Sequence, residues 1–150
     1  MKQNERYDAL TQALLEKPCW VIDFLPQRVP EKSDGAFFDV EQFYLDENRR
    51  PDFFRRFAQI LLGVFCYCDL VLGDGETWSR KTTPKKLYES IALLPLNGYR
   101  CVLLSGDEAL FTVSGSDLYM TLYNPSEKLL DLVRPLVHAQ GLFLRQGTGQ

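Results

Sequence analysis

The chain has 150 residues, 45% hydrophobic, 13% aromatic and 25% charged, with a formal net charge of −3. A chain of that size buries about 70% of the surface it exposes when unfolded, and so large an apolar share with ten Phe excludes a disordered or low-complexity polymer. The polar start, Met1 to Asp8, lacks the apolar core of a secretory signal, and the greasiest stretch, Ile60 to Leu72, falls well short of the ~20 apolar residues that span a bilayer, so a cytoplasmic protein without a membrane segment is expected.

In chain order, Asn4 to Lys17 reads as a helix with Tyr7, Leu10 and Leu14 on one side, closed by Pro18. Cys19 to Leu25 is a nearly continuous apolar run, the pattern of a buried strand that would join the sheet. Pro26, Pro30 and Ser33-Asp34-Gly35 then make a loop, and Phe37 to Leu45 fits a short helix or a strand equally well. Pro51 opens a helix from about Asp52 that carries Phe53, Phe57, Ile60, Leu61 and Val64 at helical spacing. Val64 to Leu72 suits either its continuation or an internal strand, and Gly73-Asp74-Gly75 ends both versions. Thr83-Pro84 caps a further helix with Leu87, Ile91 and Leu94 on one side, after which Pro95 and Asn97-Gly98 turn the chain.

Three apolar runs follow, Tyr99 to Leu104, Ala109 to Val113 and Leu118 to Tyr123, separated by Ser105-Gly106-Asp107-Glu108 and Ser114-Gly115-Ser116-Asp117. Gly tolerates positive φ while Ser and Asp bond nearby backbone, so these breaks predict tight turns in an antiparallel meander. In the third run Leu118, Met120 and Leu122 alternate with Tyr119, Thr121 and Tyr123, which predicts one buried and one wetter sheet face. Asn124-Pro125-Ser126-Glu127 then starts a helix with Leu129, Leu132, Val133, Leu136 and Val137 on its apolar stripe and Pro135 off it. Gly141 stops that helix, Leu142 to Arg145 reads as a last strand, and 146–150 as a frayed tail. The architecture expected is one α+β domain over residues 1–150, its meander (about 99–123) extended by the strand at about 142–145, with helices mainly on one face.

Reaction chemistry is poorly marked. Asp23 is the one catalytic candidate, since a carboxylate inside an apolar run must reach the sheet's end or find a partner; a salt bridge to an Arg is the favoured alternative to acid-base work. Asp69 invites the same argument more weakly, and His138 lies on a solvent face near a helix end. Cys19, Cys66, Cys68 and Cys101 sit in apolar runs and read as buried thiols. Ser105-Gly106 and Ser114-Gly115 do not form a Gly-x-Ser-x-Gly elbow, and Gly73-Asp74-Gly75-Glu76 lacks the ligand spacing of a calcium loop. No motif calls for a cofactor or a metal.

Charge is uneven. Residues 1–48 hold five Lys or Arg against ten Asp or Glu, whereas 49–100 hold nine against five. The basic middle has two clusters, Arg49 with Arg50, and Arg80, Lys81, Lys85 and Lys86 around the start of the Thr83 helix, where backbone donors would add to an anion site. Solvation of outer helix faces is the plainer reading of these cations. Nucleic acid is disfavoured by the acidic pI near 5.2 and the absence of a recognised motif. Two readings follow: a protein-interaction or regulatory module binding a protein partner or a second copy of itself through exposed aromatic and charged surface that includes Tyr119 and Tyr123, which is preferred, and a binding domain or weakly marked enzyme for an anionic, phosphorylated small molecule held by Arg80 to Lys86 with Asp23 as a further candidate.

Overall fold

A computed structural model describes residues 2–104, 106 and 108–147. In order the elements are α1 (Lys2–Leu14), β1 (Cys19–Asp23), α2 (Phe37–Leu45), α3 (Arg50–Phe65), β2 (Val71–Gly73), β3 (Trp78–Ser79), α4 (Pro84–Ala92), β4 (Tyr99–Leu104), β5 (Ala109–Ser114), β6 (Tyr119–Tyr123), α5 (Glu127–Ala139) and β7 (Phe143–Gln146). The strands form one antiparallel sheet in the order β3-β2-β4-β5-β6-β1-β7, so the fold is α+β.

The meander β4-β5-β6 is its centre, with Arg100 opposite Val113 and Thr112 opposite Thr121. The last strand extends the meander through an intermediary: β1 lies between β6 and β7, pairing Val21 with Thr121 on one side and with Arg145 on the other. β7 reaches Gln146, which pairs with Trp20, and the Gly147 N–H donates to the Cys19 carbonyl at 2.9 Å, so the chain stays ordered into the start of the expected tail; 148–150, like Ser105 and Asp107 of the first meander turn, fall outside the described residues.

Alternation along the strands separates two cores. Ile22, Leu72, Val102, Leu104, Phe111, Met120, Leu122 and Leu144 belong to the main one, together with α3, α4 and α5. α3 is its hub: Phe53, Phe54 and Phe57 are fully buried and meet at tilted or edge-on angles, each contributing roughly 1.5–3 kcal/mol through burial. The two helix starts read from the sequence are capped as expected, Thr83 Oγ1 accepting from the Lys86 N–H and Ser126 Oγ from the Leu129 N–H. Gly141 ends α5 at φ 73°, a conformation that favours glycine.

On the reverse face α1 packs Tyr7 and Leu14 over Val71, Cys101, Leu103 and Leu110, covering only the β2-β4-β5 side. The segment 37–45 is a helix. The stretch after Val64 is neither of the two versions considered: α3 ends at Phe65, a turn follows, and only Val71–Gly73 joins the sheet. Because Cys66 and Cys68 lie in that turn, Cys66 is exposed and Cys68 half-buried, correcting the expectation of four buried thiols; Cys19 and Cys101 are buried. No helix among the described residues is long and apolar enough to cross a membrane.

Candidate functional site

The uncovered half of the reverse face, over β6, β1 and β7, is a cleft of about 620 Å³. Strand register lays out its floor in rows: Tyr123 beside Cys19, Thr121 beside Val21 and Arg145, and Tyr119 beside Asp23. The loop after β1 supplies the wall, with Leu25, Arg28, Val29, Pro30 and Glu31, and Phe37 of α2 closes it.

Asp23 sits at the end of β1, diagonal to Arg145, whose Nη2 donates to the Asp23 Oδ2 at 2.8 Å. Their side chains retain 12% and 21% of their exposure, so the pair is largely withdrawn from water. This is the salt bridge that competes with an acid-base role for Asp23. Arg145 is the cleft residue that the sequence reading does not single out; its signal is a cation directly after Leu144, on the face opposite an inward-facing residue. Burial pushes the Tyr119 and Tyr123 hydroxyls above the ordinary tyrosine value, and the nearby Asp117 carboxylate pushes Tyr119 the same way. Burial likewise raises the Cys19 thiol. At neutral pH the cleft therefore offers protonated phenols and a neutral thiol.

Comparison with protein-family models, curated proteins and solved structures found no match.

The basic residues read from the sequence are dispersed rather than convergent. Arg49 lies 3.8 Å from the Asp46 carboxylate and stacks 3.9 Å over the Phe43 ring. Arg50 turns inward, its Nη2 donating to the carbonyls of Leu94 and Gly115. Arg80 donates to the Gln3 side chain at 2.8 Å, and Lys81 and Lys85 are exposed. Lys86 lines a smaller cavity of about 290 Å³ shared with Arg100 and Asp74. There the Thr77 and Glu76 backbone N–H groups hold the Asp74 carboxyl below its ordinary range. His138 and Asp69 are both exposed, and among the described residues no three or more His, Cys, Asp or Glu are grouped to hold one metal ion.

A second feature adjoins the cleft. α2 has no buried residue, although its sequence is mostly apolar. It rests on the core through half-buried Tyr44 and Leu45, with Tyr44 against the Phe24 and Phe53 rings, and leaves Phe38 68%, Phe43 51% and Val40 39% exposed. Around it, residues 31–48 carry Glu31, Asp34, Asp39, Glu41, Asp46 and Glu47 against the single cation Lys32.

Proposed function

We propose that this chain is a cytoplasmic protein-interaction module that presents α2 to a protein partner with a basic rim around an apolar surface. The observation that carries the reading is a helix that buries none of its own residues while holding Phe38, Val40 and Phe43 in water. Leaving those side chains partly solvated forgoes a share of the roughly 1.5–3 kcal/mol that full burial of each large one would give, which a partner's surface would recover. Residues 31–49 carry six carboxylates against Lys32 and Arg49, and this acidic surplus selects the sign of the partner's rim and speeds its approach. The basic residues that an anion site at Arg80 to Lys86 would need point to different places, which favours the interaction reading over the ligand reading.

The test places a photo-crosslinking residue at position 38 in the full chain and compares wild type with Phe38→Asp/Phe43→Asp, both substitutions lying at exposed sites that leave the core intact. A basic protein that crosslinks, binds the purified chain with defined stoichiometry, and loses affinity at least tenfold with the double substitution and with added salt is the expected result. Affinity unchanged by the double substitution would overturn the reading. So would a dimer of the chain itself that the substitutions dissolve, because the occupant of α2 would then be a second copy.

A further inference from the structure

We propose that the cleft over β6, β1 and β7 is a binding site for a small organic acid, with Arg145 receiving its carboxylate. The inference is independent of the reading of α2, although Phe37 belongs to both surfaces.

Arg145 is only partly used. A guanidinium offers five N–H donors, and Asp23 engages Nη2 through one hydrogen bond rather than the bidentate fork that saturates an Arg-carboxylate pair. Among the described residues Nε is buried without an acceptor, and the side chain keeps 21% of its exposure on the cleft floor. The cation is therefore held by one hydrogen bond to Asp23, with Nε enclosed, and it lines the cleft through the part of its side chain that stays exposed.

The rest of the lining narrows the class. Among the described lining residues Arg28 and Arg145 are balanced by Asp23 and Glu31, so these supply no surplus positive charge to attract a polyphosphate; the site discriminates by geometry and suits a monoanion. Tyr123 keeps its proton and accepts from Thr112, so its O–H on the cleft floor can donate to a carboxylate oxygen, whereas the Tyr119 hydroxyl is engaged by the Asp117 carboxylate. Val21 on the floor and Phe37 on the wall are apolar and match an organic body. The volume of about 620 Å³ falls within the roughly 300–1,000 Å³ of small-molecule sites.

The probes are phenylacetate, indole-3-acetate and hexanoate, with phenylacetamide and phenyl phosphate as comparisons, titrated into the whole protein and followed by amide NMR shifts. At least one acid should saturate in the millimolar range or below, shift the amides of Val21, Thr121 and Arg145, and bind at least about tenfold more tightly than its amide or the phosphate ester. Arg145→Gln should remove that preference. Because it also strips Asp23 of its partner, Val21→Phe serves as a second variant that fills the floor and leaves the ion pair untouched, and it should weaken the acid by about tenfold or more. No saturable response to any of the three acids overturns the proposal, as does equal binding of acid and amide, tighter binding of the phosphate ester, or wild-type affinity in Val21→Phe.

Discussion

The Arg50 guanidinium and the Gly115 carbonyl are 65 positions apart in sequence and 2.7 Å apart in the fold. The same Nη2 also donates to the Leu94 carbonyl at 2.9 Å, so one side chain at the start of α3 ties the segment after α4 to the turn between β5 and β6. Burial lowers the Arg50 pKa from its ordinary value, yet a guanidinium keeps its charge, and the two carbonyls receive charge-assisted bonds. Arg50→Met leaves both acceptors without that donor and should cost about 2–4 kcal/mol in urea unfolding, with Arg50→Lys recovering only part. A loss below about 0.5 kcal/mol for Arg50→Met, the range of an ordinary surface change, would show that this strut carries no weight.

Two glycines separate backbone contact from side-chain contact. A Cβ on Gly115 would lie 1.8 Å from the Pro95 carbonyl oxygen and 2.9 Å from the Arg50 Nη2, so backbone must move. A Cβ on Gly63 would lie 2.7 Å from Leu136 Cδ2, the end of a side chain that can rotate, and Ala there gains about 1 kcal/mol of helix propensity. Gly115→Ala should therefore destabilise by about 3 kcal/mol while Gly63→Ala stays within about 1 kcal/mol of wild type, compared by denaturant midpoints.

Local signals were legible in the sequence and long-range ones were not. Thr83 and Ser126 announced their helices because a cap is satisfied within three residues, and the alternation of Met120 and Leu122 with Thr121 and Tyr123 appears directly as the two sheet faces. The place of β1 between β6 and β7 was hidden, since pairing Val21 with both Thr121 and Arg145 depends on residues about a hundred or more positions away. Residues 37–45 resisted assignment because periodicity reports burial, and α2 is not buried. Trp78–Ser79 is too short a strand to leave a pattern. For the candidate site, Asp23 and the wetter tyrosines were visible, but adjacency misled over the cations: Arg80 lies in the bend after β3 and Lys86 inside α4, and they face different surroundings.

Removing both members of the Asp23–Arg145 pair should cost less than the sum of removing each. Arg145→Met leaves a carboxylate with 12% of its side-chain exposure and no cation, for about 2–3 kcal/mol, a figure reduced from that of a fully buried pair because Arg145 retains some solvent. Asp23→Ala should cost less, since the guanidinium can turn toward the open cleft. In the double variant the penalties should fail to add by about 1–2 kcal/mol, measured as the coupling energy of a double-mutant cycle. Strict additivity would mean that the 2.8 Å contact holds nothing in place.

The thiols give a prediction that links burial to pH. Cys66 is exposed and should react rapidly with a disulfide reagent in the folded protein, a phase that Cys66→Ser removes, whereas Cys101 should stay silent until unfolding. Burial pushes Cys101 from an ordinary value of 9.0 up to about 11. Between those values the folded chain keeps a proton that the unfolded chain has released, so stability falls as pH rises through the window. Burial also pushes Tyr99 from 10.0 to about 12, which extends the decline in the same direction to higher pH. Cys101→Ala should be less stable at neutral pH because a buried side chain is truncated, yet its urea midpoint should fall less steeply than that of wild type as pH climbs from 9 to about 11. Parallel slopes for the two proteins across that interval would show that the Cys101 proton is not coupled to folding.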